Sequence, residues 1–175
     1  EDLNWNSVIF GRGLFVTVAT FSAAKQGTAI AISSDMGRTW KAPLVAPVTF
    51  WDSVTYGNGL FVAVTTTMVD VITSPDGFTW TSHPSNNVPW EYVTFGGGLF
   101  VAVAGSAGTD GAYRAMTSPD GFSWTLRPTE PNEWRSVAFG EGLFVAIASS
   151  GAGNRVMTAG TRVWYGYGYG YGYGY

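Results

Sequence analysis

WDSVTYGNGLFVAVT, running from Trp51 to Thr65, is the stretch that decides the fold. Trp51, Val54 and Tyr56 sit, with one irregularity, as alternating positions of a short strand, whose side chains point to its two sides in turn. Gly57-Asn58-Gly59 then turns the chain, because glycine accepts positive φ without a Cβ clash. Leu60-Phe61-Val62-Ala63-Val64 follows and is apolar throughout, so this second strand is expected to be buried on both faces.

The stretch recurs as WNSVIFGRGLFVTVA from Trp5, WEYVTFGGGLFVAVA from Trp90 and WRSVAFGEGLFVAIA from Trp134. The tryptophan spacings are 46, 39 and 44 residues. A period of about 40–50 residues holding several strands is that of a propeller blade. A second motif trails the first in three repeats: ISSDMGRTW at Ile32–Trp40, ITSPDGFTW at Ile72–Trp80 and MTSPDGFSW at Met116–Trp124. The fourth repeat has MTAGTRVW at Met157–Trp164, keeping the tryptophan and losing the Asp-Gly turn. Each repeat then holds four short strands. The third is of the Ala29–Ser33 type, a Ser-Pro-Asp-Gly turn follows, and the fourth begins at Thr79-Trp80.

The expected fold is all-β, a small β-propeller of four four-stranded blades at about 1–46, 47–86, 87–130 and 131–164, with a Tyr-Gly tail at 165–175. Four copies that begin and end near blade boundaries favour a single closed ring. An arc of a larger propeller, or two chains pairing into an eight-bladed ring, are the other arrangements.

Composition points the same way. Charged residues are 12%, about half the usual share, while glycine numbers 24 and aromatics reach 16%. This suits an all-β chain with many tight turns. Nine basic residues against twelve acidic ones, with the arginines scattered, leave no basic stripe for nucleic acid and no polybasic patch for lipid. Apolar runs of about seven residues fall well short of the roughly 20 a membrane helix needs. With no cysteine there is no disulfide, no thiolate metal site and no thiol nucleophile.

SSDMGRTW at Ser33–Trp40 resembles the Asp-box pattern, Ser-x-Asp-x-Gly-x-Thr-Trp, and the two Ser-Pro-Asp-Gly copies look like a form one residue shorter. Asp-box repeats occur in sialidases, sortilin-type receptors, photosystem II assembly factors and many phage and bacterial surface proteins. The Trp-x-Ser-Val half is most similar to the last group. The resemblance covers the chain up to Trp164. It implies the blade and not an activity, since the fold hosts unrelated roles. It also implies that the box lies on the rim, away from the usual ligand face.

Asp35, Gly37 and Trp40, Asp76, Gly77 and Trp80, and Asp120, Gly121 and Trp124 are accordingly expected to be structural, each Asp bonding its own turn's N–H groups. A sialidase would need an arginine triad. Arg12, Arg38, Arg114, Arg127, Arg135, Arg155 and Arg162 are not placed at equivalent inner-strand positions. A glycosidase needs two facing carboxylates about 5–10 Å apart. Asp52, Glu91, Asp110, Glu133 and Glu141 lie in turns and joins, and spacing alone brings no two together. His83, the single histidine, is expected to be a solvated connector residue. No enzyme, cofactor or metal is expected.

Tryptophans that recur in every repeat are expected to pack. Phe21, Phe50, Tyr92 and Tyr113 differ between repeats and are the candidate ligand-binding aromatics. In the tail, Tyr165, Tyr167, Tyr169, Tyr171, Tyr173 and Tyr175 alternate with glycine, so in a strand all six would face one side. They are the candidate self-association element, adding to a neighbouring sheet edge. The expected role is a structural or adhesive protein of an extracellular assembly, most concretely a phage virion component. Its partners would be other subunits or a cell-surface glycan. A propeller lectin is the alternative, and a glycoside hydrolase stands third.

Overall fold

The computed structural model describes residues 3–20, 29–47, 50–67, 70–106 and 113–160. Every element among them is a strand, and the strands form four small antiparallel sheets that follow one another along the chain. The first sheet is β1 (Asn4–Gly11), β2 (Leu14–Thr20) and β3 (Ile30–Ser33). The second is β4 (Ser53–Gly57), β5 (Leu60–Val64), β6 (Asp70–Ser74) and β7 (Thr81–Pro84). The third is β8 (Trp90–Gly96), β9 (Leu99–Ala104), β10 (Tyr113–Ser118) and β11 (Thr125–Pro128). The fourth is β12 (Trp134–Gly140), β13 (Leu143–Ala148) and β14 (Val156–Gly160).

Four strands per repeat hold for the middle sheets. In the first sheet, among the described residues, the fourth strand shrinks to one bridge between Ile32 and Lys41. Pro43 lies just beyond, without an N–H to extend the ladder. The chain then crosses to the second sheet, where Leu44 N–H donates to Phe78 O at 2.9 Å and Trp80 N–H to Val45 O at 2.8 Å. The tail lies outside the described residues, as do Phe21, Asp110 and Trp164.

The first strands are the inner ones. β1 lies beside β4, β4 beside β8 and β8 beside β12. Three apolar cores fill the spaces between consecutive sheets, with β2, β5 and β9 largely buried, as their predominantly apolar sequences require. Trp51, Trp90 and Trp134 close the three spaces and are wholly buried. Among the described residues, no such core joins the fourth sheet back to the first. Trp5 is 44% exposed.

The two glycines of each Gly-x-Gly do different work. The second, with its predecessor, forms a two-residue hairpin in which both φ are positive, as at Asn58 (50°) and Gly59 (77°). The first has no turn role. Gly57 ends β4 and lies flat against the ring of Phe95 from the next sheet, where a Cβ would fall inside the ring.

Candidate functional site

Each sheet has two ends of different character. One carries the hairpin turns and the Asp-Gly turns. The other carries the starts of the inner strands, the loops between second and third strands, and the connectors between sheets.

At the first end the aspartates are consumed by their own turns. Asp76 Oδ1 accepts from Phe78 N–H and Thr79 N–H, both at 2.8 Å, and from Ser74 Oγ at 3.0 Å. Asp120 Oδ1 repeats this with Phe122, Ser123 and Ser118. Asp35 accepts from Thr39 Oγ1 at 2.6 Å and Thr39 N–H at 2.8 Å. These donors stabilise the ionised carboxylate. The hydroxyl and amide of Thr39 and the hydroxyl of Ser33 bring the Asp35 pKa down to about 2, and turn N–H groups lower those of Asp76 and Asp120. The tryptophan closes each turn, its indole N–H donating to Gly37, Gly77 and Gly121 carbonyls at 3.2, 2.8 and 3.1 Å. Trp80 is buried, Trp124 half-buried and Trp40 exposed.

The opposite end is where the repeats differ. After three of the four inner tryptophans the ladder register shifts, at Trp5/Ser7, Trp90/Tyr92 and Trp134/Ser136. Such a bulge leaves one residue unpaired and re-aims its side chain. The residues that follow the four tryptophans are Asn6, Asp52, Glu91 and Arg135. Asp52 accepts from Thr66 N–H at 2.6 Å and Thr66 Oγ1 at 3.1 Å, holding its own sheet's loop.

Arg135 reaches across to the third sheet, donating from Nη1 to both oxygens of Glu91 at 2.8 and 2.9 Å. Its Nη2 donates to Glu133 at 2.9 Å and its Nε to Ser149 Oγ at 3.0 Å, while Ser149 Oγ donates to Glu133 at 3.0 Å. Ser149 and Arg135 lower the Glu133 pKa, and Glu91 and Glu133 raise that of Arg135. Gly105 gives the Glu91 carboxylate its room, since a Cβ there would overlap Glu91 Oε1. Arg114 ties the same region together from β10, donating to the carbonyls of Gly105 and Asn132, each at 3.0 Å.

Sequence spacing left Glu91, Glu133 and Arg135 apart, and the fold brings them together. The legible signal was that the residue after an invariant repeat tryptophan varies in charge from repeat to repeat. Three of the candidate aromatics stand at this end on separate elements: Phe50 in the connector before Trp51, Tyr92 on β8 and Tyr113 on β10. Tyr92 is exposed, Phe50 and Tyr113 half-buried. His83 is no loop residue. It lies half-buried on β7, with Nε2 2.9 Å from Thr73 Oγ1 and its ring edge-on to Phe122. Among the described residues no cluster of His, Asp and Glu could hold a metal ion.

No protein-family model and no curated protein matches the chain. Solved structures do. YCF48 from Cyanidioschyzon merolae is 15% identical over 90% of this chain and 53% of its own, with a TM-score of 0.64. The computationally designed Ika4 protein is 13% identical over 91% and 92%, at 0.63. A chain of the nidogen/laminin complex is 8% identical over 91% and 61%, at 0.69. The chain thus spans about half the length of YCF48. At these identities the likeness establishes architecture alone, and that architecture is the β-propeller.

Proposed function

We propose that the chain is a non-catalytic binding module of an extracellular assembly, most concretely a structural component of a phage virion such as a tail fibre, spike or decoration. It contributes four blades, and its Asp-Gly turns are Asp boxes with a structural role. The observation that carries this reading is the variable position behind each inner tryptophan. Residues that repeat do the same packing in every sheet, whereas the polar ones that do not repeat give one end a chemistry of its own, and Asn6, Asp52, Glu91 and Arg135 gather there. The cluster around Arg135 suits recognition better than turnover. Glu133 is held on the acidic side of its ordinary range, whereas a carboxylic general acid needs the opposite shift. A propeller of like fold is solved within the nidogen/laminin complex, an assembly of proteins. The virion setting rests on the resemblance of the repeat to phage and bacterial surface proteins. The Tyr-Gly tail is a second contact of the same assembly, and a chain ended at Trp164 tests it by loss of mass in solution.

Fractionation of the source culture tests the reading. The chain is expected in purified particles or the cell-surface fraction, with Arg135→Ala lowering its retention there. Recovery from the cytosolic supernatant alone contradicts it. Tyr92 supports the lectin alternative, being an exposed aromatic beside these polar groups. Binding of the isolated chain to a glycan array, lost in Tyr92→Ala, would move the reading there.

A further inference from the structure

The four sheets meet at three joints built from recurring complementary parts, a ring on a glycine at all three and further contacts at the first two. The following sheet offers an aromatic ring, and the preceding sheet offers a glycine that receives it: Tyr56 on Gly11, Phe95 on Gly57 and Phe139 on Gly96. A Cβ on any of the three would occupy the ring's own space. A leucine of the preceding sheet packs the other way, onto the glycine of the following Asp turn. A Cβ on Gly77 would lie 3.1 Å from Leu14 Cδ1, and one on Gly121 2.7 Å from Leu60 Cδ2. The inner strands add polar pins. Val54 N–H donates to Ser7 Oγ and Val93 N–H to Ser53 Oγ, both at 3.2 Å, and Trp51 N–H donates to Ala19 O at 3.0 Å.

Among the described residues, each end of the arc carries one half of such a joint with nothing against it. The fourth sheet offers Gly140, where a Cβ would meet nothing within 4 Å. Beside it Leu143, Val145 and Ile147 are exposed, although Leu60, Val62 and Val64 at the same places in the second sheet are buried. The first sheet offers the matching half: Phe10, Val8 and Trp5, all exposed, and Gly37, where a Cβ would meet only its own turn's Trp40 at 3.9 Å. Phe10 is the counterpart of Tyr56, Phe95 and Phe139, down to its contact with the neighbouring Phe15 at 4.9 Å.

We propose that a second copy of this chain supplies each missing half. Phe10 of one copy seats on Gly140 of the other, Leu143 packs on Gly37, and Val8 N–H donates to Ser136 Oγ. The contact is head to tail, and a head-to-tail contact closes when its rotation returns on itself. Two copies related by a two-fold axis make two such joints and a ring of eight sheets. The proposal rests on packing and is independent of what the variable polar end binds.

Light scattering and sedimentation of the full chain at micromolar concentration test it, with Gly140→Leu and Phe10→Ala as variants. Both substitutions fall at open positions, so the fold of each chain is expected to survive, as circular dichroism would verify. The expected mass is twice the 18.7 kDa of one chain, falling to one chain in both variants. A single-chain mass for the unaltered protein overturns the proposal, whether the ends stay free or are met by blades of a longer polypeptide. A pair that persists in both variants also overturns it and assigns association to another surface, the tail first. Open polymers of increasing mass overturn the closed ring.

Discussion

Trp90 and Trp5 hold the same place in the same repeat, followed in each case by a bulge and a Val-x-Phe strand. Trp90 is fully buried and Trp5 is 44% exposed. Nothing in their own sheets accounts for this. The difference is the sheet before: β5 and its loop cover Trp90, whose backbone N–H donates to Thr65 O at 3.1 Å, while no described sheet precedes Trp5. The repeat therefore encodes a joint between sheets, and a sheet is where two halves of different joints share a backbone. This is the logic of repeat proteins, whose stability is largely a sum over neighbour interfaces.

The sharpest way to break the comparison is to truncate both tryptophans. Trp90→Ala is expected to cost about 3–5 kcal/mol, as large core aromatics do, and Trp5→Ala about 0.5 kcal/mol or less at dilutions where the chain is alone. Denaturant melts measure both, and equal losses would mean that position in the repeat, not the joint, sets the energy. Next in size are the receiving glycines. Gly57→Ala must displace the ring of Phe95 and is expected to cost about 1–3 kcal/mol, whereas Gly140→Ala in the single chain should change little.

The Asp-Gly turns sharpen the contrast between the two ends of the sheets. Asp35, Asp76 and Asp120 have folded-state pKa values below the ordinary 3.8. A group whose pKa is depressed by folding contributes fully above its unfolded value and loses that contribution as pH falls through the folded one. Stability should therefore hold down to about pH 4 and decline toward pH 2. Acid titration of the melting temperature checks this, and the triple Asp→Asn variant should show a shallower decline. The smallest effect is at a hairpin. Glu141 holds φ at 50°, so Glu141→Gly is expected to gain up to about 1 kcal/mol by relieving a left-handed conformation, read as a slight rise in melting midpoint.

Much of this was legible in the sequence. The period, the strand order and the double-sided burial of Leu60–Val64 follow from composition and alternation, because a buried strand must be apolar on both faces. The turn role of the aspartates follows from their spacing to Gly and Trp. Gly57 was harder to read: beside a turn it looks like turn chemistry, and only the neighbouring sheet shows that its missing Cβ makes room for Phe95. The short first sheet was hidden because Pro43 and the crossing to Phe78 depend on a partner some 35 residues away. The pairing within the Glu91–Arg135–Glu133 cluster was hidden for a related reason, although the varying charge after the repeat tryptophan was visible. Its members come from adjacent sheets, and a 44-residue separation becomes a hydrogen bond only once the inner strands lie side by side.

The central claim is that Phe10 and Gly140 are the two halves of one more joint. The chain has no cysteine, so single Phe10→Cys and Gly140→Cys variants each carry one thiol. At the joint between the first two sheets, Tyr56 Cβ lies 2.8 Å from the place of a Cβ on Gly11, so an equivalent pair would be within reach of a disulfide after a small shift. Oxidising the two variants as a mixture measures the contact directly. The account predicts a cross-linked pair in the mixture and none in either variant alone. Failure of the mixture to cross-link, or equal cross-linking of each variant with itself, would contradict it.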